Sequence, residues 1–430
     1  MARNRTRAVA MLTGASALTA AANSAGAMAA TVALGADERG AMVLVLTISG
    51  VVAMIAPLGT GIALRAQLPR VDDEAARGSL LGSYLWLTLG LAALGAALAV
   101  VAVRVSAPAI DAGLADPRLL VAVAVSTLAQ VLLWQSNELF YAVAEFRQGA
   151  TWNLASVVAG LAGLLVAIAI SAQAWLLLLL QGTGVLAAMV ARLRPLRRRG
   201  LIRPVAPSGQ VLRALFRQGV PSLGLNIGIV LAQRADRYIL GVVAGTTAVG
   251  IYSLGATMSG MAGLIPLAIG QVSLNDAATA GARFWPGRHI VWALGGATLS
   301  SIAIALGGWL LLVPVFGEDF APARHLLFPL LVAEICLAPY WVAGRALLGG
   351  GWSRTAAVIG AASAVGAAAL YGFAIPIWGM TGAALASIAL YAGLSLMSMA
   401  LLARRVGGPR GRIPATAARH APVERVRIHS

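Results

Sequence analysis

The stretch PSLGLNIGIVLAQRADRYILGVV, Pro221–Val243, is apolar enough to cross a bilayer, yet it carries Arg234, Asp236 and Arg237 in its interior. A charged side chain near a bilayer centre costs about 2.5–3.5 kcal/mol on insertion scales, so such groups are rare and face a cavity or a partner. On a helix turning about 100° per residue, Ser222, Asn226, Gln233 and Arg237 fall in one sector about 60° wide, with Arg234 on one edge and Asp236 on the other. Read as one helix, the segment has a polar stripe from end to end. That combination predicts a membrane span that lines something polar.

The remainder of the chain agrees with a membrane setting. Of 430 residues, 59% are hydrophobic and only 11% charged, and apolar runs of 18 or more residues recur throughout, the length that spans a bilayer. The net charge of +17 comes from 32 arginines with no lysine. These arginines are dispersed beside the spans, so the charge does not point to nucleic acid. Without lysine, neither a phosphate-loop nucleotide site nor a Schiff base can be built. Cys336 is the only cysteine, which excludes an intrachain disulfide and a thiolate metal cluster. His289, His325, His420 and His429 show no ligand spacing. No cofactor, metal or catalytic residue is expected.

Twelve spans are read at 8–34, 40–64, 79–103, 119–143, 149–171, 174–193, 216–242, 247–271, 289–315, 325–348, 355–377 and 380–402. Arg3, Arg5 and Arg7 before an Ala-rich stretch imitate a signal peptide. The apolar stretch Ala8–Leu34 is longer than such a core, so it is taken as an uncleaved first span. Segments assigned to the cytoplasm carry 25 arginines and those assigned outside carry four, Arg39, Arg104, Arg118 and Arg324. The positive-inside rule therefore places both termini in the cytoplasm.

The longest basic loop, RLRPLRRRGLIRPVAPSG (Arg192–Gly209), falls between the sixth and seventh spans. It divides the chain into a first six-helix half (1–193), a basic linker (194–210), a second half (211–402) and a basic tail (403–430) expected to touch anionic lipid. A shift of 210 residues aligns Gly35, Gly40, Leu44, Thr47, Ser49, Gly50 and Ile55 with Gly245, Gly250, Leu254, Thr257, Ser259, Gly260 and Ile265, seven identities in 21 positions. Six spans per half preserve orientation, so the halves are expected to be related by a pseudo-twofold along the membrane normal. Transporters built this way bind substrate between the repeats near the midplane.

Four segments resemble the oligosaccharide/polysaccharide flippase family, in the superfamily of MATE-like exporters and peptidoglycan-precursor flippases. ADRYILGVVAGTTAVGIYSLG (Ala235–Gly255) is similar to its D-R-x-x-L-G…G-x-Y stretch, and PVFGEDFAPARHLLFPLL (Pro314–Leu331) to its glycine, acid and Phe before span ten. IPIWGMTGAALASIALY (Ile375–Tyr391) is similar to its entry to span twelve, and LGADERGAMVLVLT (Leu34–Thr47) to the loop after span one. The resemblance implies an all-α, polytopic, MATE-like fold of about twelve transmembrane helices in two bundles around a cavity opening alternately to each side. It also implies a lipid-linked oligosaccharide as substrate, a bacterial plasma membrane, membrane lipids as surroundings, and a polysaccharide polymerase and glycosyltransferases as pathway partners. This chain departs from relatives that mix Lys and Arg, so every cationic role falls to Arg.

Arg237 and Arg234 are the candidates for holding a pyrophosphate or acidic sugar, because the guanidinium stays charged and grips phosphate oxygens in pairs. Asp236, Gln233 and Asn226 accompany them on the stripe; Asn23, the counterpart of Gln233 in the first span, is the candidate from the other half. The alternative is that Asp236 neutralises an arginine or that the arginines snorkel to the interface. Glu138, in WQSNELFYAV (Trp134–Val143), and Glu334, in LLVAEICLAPYW (Leu330–Trp341), occupy corresponding spans. Each is read equally as a structural partner or as a carrier of a coupling ion. Arg345 is read as a snorkelling anchor. A MATE-type small-molecule antiporter is the nearest rival, though for cationic drugs it would need acids to dominate the cavity. A membrane glycosyltransferase is the rival from another class, but Asp37 and Glu38 stand in a loop too short for an acceptor site.

Overall fold

The computed structural model describes residues 2–203, 205–280 and 284–407, with the side chains of 2–17 and 221–227 outside the description. Every element in it is helical: α1 (Ala2–Ala33), α2 (Ala36–Ile55), α3 (Thr60–Gln67), α4 (Glu74–Ile110), α5 (Pro117–Ala142), α6 (Phe146–Ile170), α7 (Ala174–Arg198), α8 (Gly209–Ala232), α9 (Ala235–Gly260), α10 (Leu264–Ala280), α11 (Gly287–Phe316), α12 (Ala321–Gly349) and α13 (Ser353–Gly407). In a medium without water, a helix satisfies its backbone internally, which is why long apolar segments take this form.

Among the described residues nine segments are long and apolar enough to cross a membrane, and two of them, Gly228–Ala280 and Ser353–Val406, run for 53 and 54 residues. Each of these two contains a chain reversal at one glycine. Gly245 (φ 79°) interrupts α9 and Gly379 (φ 55°) interrupts α13, both at positive φ, where a side chain would be strained. The reversals are evident from hydrogen bonds: Tyr252 bonds Asp236 and Tyr371 bonds Ser387, each pair 16 residues apart, a separation of about 24 Å along an unbroken helix. Dividing both segments at their glycines, and counting α1, accounts for the twelve passes expected from sequence. The chain is thus a multi-pass membrane protein.

Connections alternate between two ends of the bundle. One end carries the linker between α7 and α8; the far end carries the turns at Gly35, Asp111, Gln173, Gly245, Gly317 and Gly379. Asp73, Asp111 and Asp116 accept backbone N–H bonds at helix or 3₁₀ starts, satisfying donors that have no intrahelical partner. α2 stops at Pro57-Leu58-Gly59, where Leu58 and Gly59 take φ 49° and 68°, and α3 continues the pass. α7 runs on to Arg198, so the segment joining α7 and α8 is only ten residues.

The main core extends across both halves, through Leu44, Leu240, Tyr252, Leu254, Leu337 and Tyr371. A second cluster, with Leu64, Leu81, Tyr84, Phe140 and Leu196, packs the linker end of the first half. α11 lies at the periphery: only 17% of its apolar window is buried, and Trp292, Leu299, Leu306 and Leu310 are exposed. Such a row of large apolar side chains suits lipid, not water.

The halves meet at the far end through a reciprocal close approach. A Cβ on Gly40 would lie 1.8 Å from the Thr246 carbonyl oxygen, and one on Gly250 would lie 1.8 Å from that of Ala36. Positions 36 and 246, like 40 and 250, differ by 210, the shift at which the two stretches align. Thr247 Oγ1 donates to Asp37 Oδ1 at 3.2 Å, and Thr246 also bonds Asp37. Ser106 Oγ lies 3.3 Å from Tyr238 Oη.

Candidate functional site

The stretch expected to form one helix is broken where its charges lie. α8 ends at Ala232; the Arg234 N–H reaches only Leu231 O, at 3.2 Å, and Arg234 takes φ −129°, ψ −18°. α9 then restarts at Ala235. The continuous polar stripe is therefore two helix faces joined by a kink, which changes the direction in which Arg234 and Arg237 project.

Tertiary contacts hold the kink open. Tyr371 Oη, from α13, donates to the Ala232 carbonyl at 3.2 Å, satisfying an acceptor left free where α8 ends. Asp236 lies in the first turn of α9, where a carboxylate is favoured by the helix dipole. It is buried at 4% exposure. Its Oδ1 accepts the Arg237 backbone N–H at 2.8 Å and its Oδ2 accepts Tyr252 Oη at 2.8 Å. Both oxygens are thus engaged within the second half.

Arg234 points toward α2. Arg234 Nη1 donates to the Leu46 carbonyl of α2 at 3.4 Å, and its guanidinium fills a notch at Gly50, where a Cβ would come within 2.9 Å of Nη1. Arg237 makes no ion pair within 4.0 Å among the described residues, and its buried Nε lacks a hydrogen-bond partner. It lies within electrostatic reach of Asp236, of Glu334 on α12 and of Arg39 on α2. Gln233 is half-buried at the kink, whereas Asn23 is exposed on α1. Asn226 has its side chain outside the described residues.

The two carboxylates singled out in corresponding spans have different surroundings. Glu138 pairs with Arg65 at 3.4 Å and packs over Gly61 at the linker end of the first half. Glu334 makes no ion pair within 4.0 Å among the described residues, and its Oε2 rests against Gly263, where a Cβ would lie 2.8 Å away. Arg345 lines a small cavity of about 60 Å³ with Tyr340, Trp341 and Ile229. A larger cleft of about 640 Å³ lies on the first turns of α8, bordered by Gln210, Arg213 and Arg217. Arg213 and Arg217 are one helical turn apart and both exposed. Arg237 does not border this cleft.

Two buried cations were assigned to loops by their position in the sequence. Arg39, in the turn after α1 by hydropathy, lies inside the first turn of α2 at 3% exposure, with its Nε unpartnered. Arg192, at the head of the basic linker by composition, is fully buried in α7. Its Nη1 donates to Ser136 Oγ at 2.7 Å and its Nη2 to Asn137 Oδ1 at 2.5 Å, over the Phe140 ring. Asn137 in turn donates to Asn153, so Arg192 ties α5, α6 and α7 together. The polar run Gln135-Ser136-Asn137 inside a span was the available signal for Arg192. No local signal marked Arg39.

Comparison with solved structures gives the fold a wider context. The chain superposes on an inward-facing multidrug resistance transporter of the MATE family in the MOP superfamily with TM-score 0.67, at 14% identity over 90% of this chain and 94% of the other. A lipid II flippase, MurJ, in an inward closed conformation matches with TM-score 0.67, at 12% identity over 91% and 87%. A MOP superfamily transporter from Pyrococcus furiosus, described as having reverse polarity of its binding pocket, matches with TM-score 0.61, at 14% identity over 93% and 95%. These likenesses establish a MATE-like fold. No curated protein sequence matches. The family described as "Polysaccharide biosynthesis protein" matches residues 7–274, which include α2, α9 and the kink between α8 and α9. The chain that folds its buried arginines against this interface belongs to the polysaccharide biosynthesis protein family.

Proposed function

We propose that the protein is a flippase that moves a polyprenyl-pyrophosphate-linked oligosaccharide across the bacterial plasma membrane by alternating access, for assembly of a cell-surface polysaccharide. The observation that carries this reading is the group of arginines between α2 and α9. Arg234 and Arg237 are set inside the membrane, at the junction of the halves, with no carboxylate paired to either among the described residues. Both side chains are half-buried, so each can still meet a ligand that supplies an anion. Guanidinium forks match phosphoryl oxygens in geometry and charge.

Residues 1–193 and 211–402 serve as the two moving halves, and the linker end faces the cytoplasm with both termini. The cleft at Arg213 and Arg217 offers an acidic head group its first contact from that side, while the prenyl tail stays in lipid. Gln233 stands beside the arginines as a neutral hydrogen-bonding contact for the head group, with Asn226 and Asn23 as further candidates. Drive by an ion gradient or the membrane potential fits a chain without a phosphate loop. Of the two intramembrane carboxylates, Glu138 is already engaged by Arg65, which leaves Glu334, unpaired and near Arg237, as the better placed to exchange a proton or sodium ion. The same fold serves a multidrug transporter, but Arg234 and Arg237, with no ion pair within 4.0 Å among the described residues, favour an anionic cargo over a cationic drug.

The test is export of the lipid-linked glycan in cells expressing Arg237→Ala at normal protein level. Export should fall by more than tenfold while the membrane level of the protein is retained. Wild-type export by that variant would remove Arg237 from the site.

A further inference from the structure

The cavity of about 60 Å³ beside Arg345 lies within the second half, between α8, α12 and α13. Its walls are fixed by two backbone features. α12 contains Pro339, which has no N–H to give the helix ladder. At the next residue Ser395 of α13 stands in the ladder itself: the Tyr340 N–H donates to Ser395 Oγ at 3.1 Å, and Ser395 Oγ donates to the Cys336 carbonyl at 2.6 Å. The hydroxyl bridges two groups that an unbroken helix joins directly. An inserted hydroxyl redirects a helix at that point, and here it sets the backbone that carries Tyr340 and Trp341. On the opposite wall, a Cβ on Gly228 would lie 1.7 Å from the Gly360 carbonyl oxygen, so α8 and α13 touch through backbone beside Ile229 and Ile359. Those two residues, with Leu348 and Ala356, give the cavity an aliphatic wall. Facing it are the rings of Tyr340 and Trp341, 5.5 Å apart and edge to face, and the guanidinium-bearing Arg345. All three are half-buried, and Arg345 makes no ion pair within 4.0 Å among the described residues.

We propose that this cavity is a specificity subsite for the acetamido group of a 2-acetamido sugar. The proposal rests on the reading of the protein as a carrier of a lipid-linked oligosaccharide and names a substituent that the carrier selects. Size decides what enters. A water-sized group needs about 10–15 Å³, so a whole pyranose with its hydroxyls does not fit, whereas a single substituent does. An acetamido group (nitrogen, carbonyl and methyl) matches both the space and its chemistry: the aliphatic wall receives the methyl, and Arg345 donates to the carbonyl oxygen. A few placed polar groups on a mainly apolar lining is the usual composition of a small-molecule site. A carboxylate also pairs with a guanidinium, but it has no methyl to place against the four aliphatic side chains. Tyr340 and Trp341 border the mouth, where the sugar ring rests against aromatic surface. Ile229 lies 12 residues beyond Arg217 on α8, about 18 Å along the helix. The cavity therefore stands between the cleft at the linker end and the kink at Arg234. Tyr340, Trp341 and Arg345 touch the sugar in this reading, and Ser395 is a positioning residue that acts through Tyr340.

The experiment uses the full chain in detergent and three probes, farnesyl pyrophosphate carrying N-acetylglucosamine, glucose or glucuronic acid, with affinities measured by calorimetry. The acetamido probe should bind about tenfold or more tightly than the glucose probe, within the roughly 10–200-fold that a pocket for one small apolar group provides. Gly344→Ala adds a methyl to the cavity lining, where a Cβ meets only the Tyr340 ring at 3.6–3.8 Å, so it takes up space without a clash. It should cut the preference to about threefold or less while the glucose probe binds as before and the thermal melt is kept. Arg345→Met, which keeps the stem and removes the donors, should do the same, and Ser395→Ala should give an intermediate preference. Equal binding of all three probes would overturn the subsite and leave the lipid-linked reading intact; binding of none would overturn both. Tightest binding of the glucuronic acid probe would overturn the acetamido assignment. A preference that survives in Gly344→Ala and Arg345→Met would place the selecting groups elsewhere and overturn this site.

Discussion

Adding one methyl group at the contact between the halves should bias the protein toward opening at the far end. In Gly40→Ala the new Cβ would lie 1.8 Å from the Thr246 carbonyl oxygen, and in Gly250→Ala it would lie 1.8 Å from that of Ala36. To reach even a tight 3.0 Å, the backbone oxygen must retreat by about 1.2 Å, and helix backbone does not yield as a flexible side chain would. Overpacking of this kind costs about 1–3 kcal/mol. If the strain is confined to the closed state, the closed-to-open ratio falls by about fivefold to 150-fold, at about 1.4 kcal/mol per factor of ten. The double variant should exceed either single one. Its effect should be less than the sum, because both clashes are relieved by the same separation.

The assay is reaction of Thr246→Cys, a position buried at the contact, in a Cys336→Ala background, with a membrane-impermeant thiol reagent applied to whole cells. Labelling should be faster in Gly40→Ala than in its parent, and faster again in the double variant. Gly90→Ala is the control, since a Cβ there meets nothing within 4 Å, and it should label at the parental rate. A parental rate in Gly40→Ala and Gly250→Ala, with protein level maintained, would refute the view that this contact separates during the cycle.

Two further outcomes concern stability. Arg192→Ala leaves Asn137 Oδ1 without its donor in a buried site and empties the space over Phe140; it should destabilise the protein by about 1–3 kcal/mol, as an unsatisfied buried polar group does. Arg192→Met keeps the packing and should lose less, and thermal unfolding in detergent distinguishes the two. Tyr252→Phe removes the bond that holds Asp236 Oδ2 and leaves a buried carboxylate oxygen unsatisfied. It should lower stability by about 1–3 kcal/mol, read by the same melt. A melt unchanged from the parent would show that Asp236 is held by other contacts.

Much of the fold was legible because the signals for it are local. Span length, apolar content and arginine placement depend on a residue and its near neighbours. They yielded twelve passes, and the 210-residue offset picked out Gly40 and Gly250, which the structure brings together. The charged segment at 234–237 was also visible, since a charge inside an apolar run stands out without any knowledge of what faces it.

Other features could be decided only by which helices meet. An unbroken apolar pattern gave no sign of the kink after Ala232, because what stabilises it is Tyr371, 139 residues away, and Tyr252, reached only after the chain reverses at Gly245. Arg39 and Arg192 read as loop cations beside spans, yet both are buried, since helices extend past the point where hydropathy falls. Neighbouring helices then cover the polar ends. Hydropathy along one chain measures the affinity of a segment for lipid; it carries no information on the burial of a side chain by another segment. Sequence alone thus determined that this is a membrane protein with cations inside its spans, and tertiary packing determined that Arg39 is buried in α2 and that Arg234 packs against Leu46 and Gly50.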